Sequence, residues 1–225
     1  MKYGIYYAYW EKEWNGDYKY YIDKISKLGF DILEISCGAF SDYYTKDQEL
    51  IDIGKYAKEK GVTLTAGYGP HFNESLSSSE PNTQKQAISF WKETLRKLKL
   101  MDIHIVGGAL YGYWPVDYSK PFDKKRDLEN SIKNMKIISQ YAEEYDIMMG
   151  MEVLNRFEGY MLNTCDEALA PIENSQLGEH LAKPDWHCHH DHFKDSNPNI
   201  EWQATLDQAE KIGLGTRQYE LKIVK

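Results

Sequence analysis

Short apolar runs alternate with longer amphipathic stretches through the first 153 residues, and this alternation constrains the fold more than any other feature of the chain. Extended segments are expected at 4–9, 31–35, 62–66, 103–106 and 147–153. Helices are expected between them at 17–28, 46–60, 83–100 and 128–145. The first helix carries Tyr21, Ile25 and Leu28 near helical spacing and stops at Gly29; the third aligns Ile88, Trp91, Leu95 and Leu98 on one side. A strand that is always followed by a helix before the next strand implies parallel strands joined by crossover helices.

Periodicity does not separate an open doubly wound sheet from a closed barrel, but two features favour the barrel. No glycine-rich phosphate turn follows the first strand. Polar or aromatic residues instead collect at the ends of successive strands, at 6–10, Glu34, 67–71, 109–114 and 152–158. Barrels gather their chemistry from many strand ends on one face. The expected class is therefore α/β, a (β/α) barrel of the TIM type. The expected division is a barrel portion at 1–170 and an atypical tail at 171–225, where Pro171, Pro184 and Pro198 and a histidine cluster interrupt the pattern. The tail shows one helical stretch, 205–212, and one alternating strand, 218–224, with Tyr219, Leu221 and Ile223. Five strands do not close a parallel barrel. The C-terminal side is thus expected to be incomplete or irregular, with homo-oligomerisation as a side effect.

The chain of 225 residues has a net charge of -8, which repels phosphate and argues against nucleic acid and anionic membrane surfaces as partners. It does not oppose a small neutral substrate. Aromatic residues make up 14%, with 18 tyrosines, a side chain that offers sugars a flat apolar face and a hydroxyl. Three widely spaced cysteines, Cys37, Cys165 and Cys188, form no disulfide framework, so a reducing cytoplasm is the expected location. Neither a leader peptide nor a membrane-crossing stretch is expected.

Several blocks are similar to one enzyme family. They are Gly4-Ile5-Tyr6-Tyr7-Ala8-Tyr9-Trp10 with Glu13-Trp14, and Lys27-Leu28-Gly29-Phe30-Asp31-Ile32-Leu33-Glu34-Ile35. Leu64-Thr65-Ala66-Gly67 through Gly69-Pro70, and Gly107-Gly108-Ala109-Leu110 with Tyr113-Trp114-Pro115, follow in order. The last is Met151-Glu152-Val153-Leu154-Asn155-Arg156-Phe157-Glu158, then Leu162-Asn163-Thr164. Over residues 1–170 the chain resembles the metal-dependent ketose 3-epimerases, the D-tagatose and D-psicose group.

The resemblance implies a xylose-isomerase-like barrel with one divalent ion, manganese or cobalt, held by two glutamates, an aspartate and a histidine. It implies C3 epimerisation of free ketohexoses, fructose with psicose and tagatose with sorbose, through a metal-stabilised enediolate. Glu152 would be a ligand and one of two proton-exchanging carboxylates, and Glu158 would contact the sugar. Tyr6 and Ala109 match positions near the substrate, while Trp14, Leu110 and Trp114 would wall the apolar side of the pocket. The strings L-D-T-F-H-M-N and M-E-P-F that carry the family's other ligands do not occur here.

The chemistry suits these residue types. Removing a proton beside a carbonyl needs a base on one face of the sugar and an acid on the other, and carboxylates serve as both. In the tail, Asp185, His187 and His189 would share one face if extended, the donor set of a metal site. Glu220 is a more distant candidate ligand. Arg156 is placed to pair with either site glutamate, Glu34 to orient other ligands, and His71 to be solvated. The alternative reading is a non-catalytic, epimerase-derived barrel whose tail binds metal or a partner.

Overall fold

The computed structural model describes residues 2–14, 16–42, 44–164 and 167–168. Five strands, β1 (Gly4–Tyr6), β2 (Ile32–Ser36), β3 (Thr63–Gly67), β4 (Ile105–Gly108) and β5 (Met148–Met151), form one sheet. Their order in space is their order in sequence, and every neighbouring pair is parallel. A doubly wound sheet reverses direction at a switch point. The strictly sequential order here is that of consecutive strands of a barrel wall.

The connecting helices are α1 (Tyr18–Leu28), a short α2 (Ala39–Asp42), α3 (Asp47–Glu59), α4 (Pro81–Leu100) and α5 (Lys124–Glu144). Among the long helices, α1 packs on α3, α3 on α4 and α4 on α5, giving one continuous outer layer. Local chemistry sets their ends. Asp17 caps α1 by accepting from the amides of Lys19 (3.0 Å) and Tyr20 (3.2 Å), and Gly29 closes it at φ 83°. Proline at the first turn opens α4, where no amide donor is missed.

The core lies between the sheet's outer face and this helical layer. Leu33, Ile35, Leu64, Ala66, Val106, Met149 and Met151 pack from the strands against Ile22, Ile25, Ile53, Trp91, Leu95, Leu98 and Ile138. Each large side chain buried in this way stabilises the fold by about 1.5–3 kcal/mol. The register carries the alternation across the sheet, with Leu33 level with Leu64, Ala66 with Val106, and Val106 with Met149. Period two sends the intervening residues to the inner face. Tyr6, Glu34 and Thr65 form one inner row, and Ser36, Gly67, Gly107 and Gly150 the next. This row of small residues leaves the mouth of the sheet open.

Several expected boundaries move, each for a local reason. The first strand ends at Tyr6 rather than at residue 9, because Tyr7–Tyr9 turns as a 3-10 helix that drops the Tyr7 ring, 0% exposed, into the core beside Tyr18. Helix α5 starts at Lys124 rather than 128, since Asp123 caps it by accepting from the Arg126 amide at 3.1 Å. The fourth strand is Ile105–Gly108 rather than 103–106. Asp102, at φ 61°, first turns the chain out of α4, and Ile103 is buried there before the strand begins. The expected tail helix and strand, and the closure of the barrel, lie outside the described residues.

One glycine is indispensable to this geometry. Gly108 has φ 125°, and a Cβ there would stand 2.2 Å from the Tyr68 carbonyl oxygen. Gly108→Ala is expected to destabilise the chain by about 3 kcal/mol or more, through backbone strain and overlap together. The check is the thermal midpoint, which should fall by at least about 6 °C for a chain of this size.

Candidate active site

The C-terminal strand ends bring most of the sequence-predicted residues to one rim. Tyr6 ends β1, Ala109 follows β4, and Glu152 follows β5. The Glu152 amide donates to the Gly108 carbonyl at 3.0 Å, so the ladder continues one residue past β5. The pleat that turns Gly150 inward and Met151 toward the helices therefore turns Glu152 inward. Ala109 is buried at the rim, whereas Leu110 is fully buried in the main core cluster.

Loops from three strands converge over this rim through tryptophan. The Trp14 and Trp114 rings meet edge to face with centroids 6.0 Å apart, and Tyr6 lies 6.3 Å from Trp14. The Trp114 amide donates to the Pro70 carbonyl at 2.8 Å, and its Cβ approaches within 3.0 Å of where a side chain at Gly69 would begin. Trp14 remains 57% exposed, which leaves an apolar face available beside Tyr6 and Trp114. Burial pushes the Tyr6 phenol far above its ordinary pKa, with Tyr7 and Glu34 adding to the effect and Ser36 opposing it. It is therefore a neutral hydroxyl at any physiological pH. Glu34 shares its inner row, and its carboxylate rises over Gly67, where a Cβ would meet Oε1 at 2.9 Å. His71 is exposed, as expected.

The segment after β5 is laced into a fixed loop. The Asn155 carboxamide oxygen accepts from the amides of Phe157 (2.8 Å) and Glu158 (3.1 Å), and its nitrogen donates to Glu158 Oε2 at 2.8 Å. Asn163 donates to the carbonyls of Leu154 (2.9 Å) and Gly159 (2.8 Å), and Leu154 donates to Leu162 at 3.1 Å. Arg156 is exposed, and its carbonyl accepts from the Tyr118 hydroxyl at 2.7 Å. Tyr160 and Lys124 tie the loop to the start of α5, by a 2.8 Å bond to Asp127 and a 2.5 Å ion pair between Lys124 and Glu167. Asn155 was legible only as part of a quoted motif; Tyr160, Asp127 and Glu167 carried no signal of their own.

Among the described residues no three His, Cys, Asp or Glu side chains come together in a way that could hold a metal ion. Of the expected ligands only Glu152 falls within the described range; Asp185, His187, His189 and Glu220 lie outside it. The described residues alone do not make a divalent site. Also among the described residues, no helix is long and apolar enough to cross a membrane.

A parallel barrel wall with acids and aromatics at its C-terminal rim agrees with the relatives of the chain. Residues 22–181 match the xylose isomerase-like TIM barrel family. The chain is 51% identical to the D-psicose 3-epimerase of Enterocloster bolteae, over 96% of this chain and 78% of that protein. That match necessarily takes in residues past 170, beyond the quoted motifs. It is 47% identical to the D-psicose 3-epimerase of Ruminiclostridium cellulolyticum, over 75% of this chain and 57% of that one. The crystal structure of D-psicose 3-epimerase with D-tagatose from Clostridium cellulolyticum H10 superposes with a TM-score of 0.76 at 45% identity, covering 78% of this chain and 60% of its own. The chain thus belongs to the xylose isomerase-like TIM barrels and, within them, to the ketose 3-epimerase family. The chain spans 78% of the length of the first of these proteins, 57% of the second and 60% of the crystallised chain.

The Asn155 turn gives a direct test of this site's rigidity. Asn155→Ala should speed hydrogen exchange at the Phe157 amide by about fivefold or more, the equivalent of one lost net hydrogen bond, and at the Glu158 amide by less, because that amide also donates to the Asn155 carbonyl at 3.2 Å. Exchange mass spectrometry resolves this, with the amides of β2 and β3 as unchanged controls.

Proposed function

We propose that this chain catalyses the C3 epimerisation of free ketohexoses, with D-fructose and D-psicose as the first pair and tagatose and sorbose as the second. The observation that carries this reading is Glu152, an acid held by the ladder one residue past β5, on the same rim as Tyr6, Trp14 and Trp114. The names of the similar proteins support it independently.

Glu152 takes or returns the proton at C3, and a second carboxylate on the opposite face completes the exchange. Glu158, oriented by Asn155, accepts hydrogen bonds from sugar hydroxyls. The neutral Tyr6 phenol and the Ala109 backbone line the substrate's polar side. Trp14 and Trp114 cover its C–H faces and exclude water, and Leu110 backs the pocket from the core. A divalent ion, manganese or cobalt, would supply charge stabilisation to the developing enediolate. Its proposed holders are Glu152 with Asp185, His187 and His189. The protein is proposed to work in the cytoplasm as a homo-oligomer, with the ketose as its partner.

A second reading, a non-catalytic epimerase-derived barrel, draws on the family's ligand strings that do not occur in this chain. Metal content measured by mass spectrometry, together with a D-fructose to D-psicose assay, separates the two. One bound divalent ion per chain and turnover abolished by a chelator are expected; a metal-free, inactive protein establishes the second reading. Glu152→Gln should lower kcat by far more than tenfold without altering the circular dichroism spectrum. A loss of tenfold or less, about 1.4 kcal/mol of barrier, is too small for the reacting carboxylate and would remove Glu152 from that role.

A further inference from the structure

Helix α5 buries three polar side chains on its inner face, Asp127, Ser131 and Asn134, and each binds a different loop. The Ser131 bond leads to the site. Its hydroxyl, 1% exposed, donates to the Tyr111 carbonyl at 2.7 Å. Tyr111, 4% exposed, donates its phenol to the Glu152 carbonyl at 2.9 Å.

The consequence is geometric. The Glu152 N–H is held by the Gly108 carbonyl and the Glu152 C=O by the Tyr111 phenol. Both backbone polar groups of that residue are thereby fixed, which fixes φ and ψ and so the direction of its Cα–Cβ bond. Only side-chain torsions remain free. We propose that Tyr111 is the positioning residue for Glu152, passing the placement of α5 through Ser131 to the carboxylate at the end of β5. This inference rests on the reading of Glu152 as the reacting carboxylate.

The test compares the full-length parent chain with Tyr111→Phe, Ser131→Ala and Glu152→Gln. The readouts are D-fructose epimerisation in saturating manganous ion, the dissociation constant for manganous ion, and the thermal midpoint. Tyr111→Phe should lower kcat by about tenfold, leave KM within about twofold and weaken manganese by about tenfold, the usual scale for a partner behind a site carboxylate. Ser131→Ala should move the same quantities in the same direction by less. A purely structural hydroxyl would lower the midpoint and leave kcat per folded molecule unchanged. That result, with Glu152→Gln inactive, overturns this inference and spares the reading of Glu152. A Glu152→Gln variant with parental kcat overturns that reading and this inference with it. If the parent turns over no ketose, the manganese titration decides. Weakening by both Tyr111→Phe and Glu152→Gln supports the inference, and any other pattern overturns it.

Discussion

The register of five parallel strands governs all that happens at their ends, because a slip of one residue in a pleated strand exchanges its two faces. In the observed register Leu33, Leu64, Val106 and Met149 face the helices. The same register aligns Ser36, Gly67, Gly107 and Gly150 on the other side, just below the C-terminal rim. Core and inner face are thus two results of one hydrogen-bonded ladder. The apolar face specifies the register through burial, and the same pairing sets the small residues in a row on the other side. Glu152 inherits its direction from that pairing by staying in the ladder through the Gly108 carbonyl.

Much of this could be read in the amino-acid sequence because it is repetitive. Alternation gave away the strands, and helical spacing gave away Tyr21 and Ile25 of α1 and Trp91, Leu95 and Leu98 of α4, all buried; Leu28, expected on the same stripe, is 58% exposed at the end of α1, and Ile88 is half-buried. The placement of Glu152 and Tyr6 at strand ends followed from the same pattern. The question of barrel or open sheet did not, since both use the same strand–helix unit. Strand order resolves it, and order is a property of long-range pairing that no local window contains.

The first turn of α5 shows why other features were hidden. Apolar periodicity starts that helix at Leu128, because the polar Asp127 before it carries no apolar signal, and Ser131 and Asn134 within it are polar as well. They are buried, at 7%, 1% and 2% exposure, and each is matched by a loop group: the Tyr160 hydroxyl, the Tyr111 carbonyl and the Leu76 carbonyl. A buried polar side chain with a partner is as much a part of the interior as a leucine. Its partner lies 20 to 58 residues away, so nothing in the neighbouring sequence marks it. The aromatic rim has the same character. Trp14 and Trp114 are 100 positions apart, on loops after β1 and β4, and meet although two strands lie between those in the sheet.

These polar contacts also divide the labour between the strands and the loops. A parallel ladder holds backbone groups well up to its last bonded residue, and Glu152 is that residue on β5. Beyond it, irregular chain must find its bonds elsewhere, and here it finds them in side chains: Asn155 and Asn163 within the loop, Tyr111, Tyr118 and Asp127 from outside. Each of these takes up a backbone group or a neighbouring hydroxyl, and Met161 and Leu162, buried in the main core, anchor the loop beside them. The Phe157 side chain, 91% exposed, stands outside this network, whereas the Asn155 carboxamide reaches the Glu158 carboxylate directly. The rim's shape is therefore carried by α5 and the loop after β4 as much as by β5 itself, which is why a carboxylate at the edge of the described sheet has a fixed direction at all.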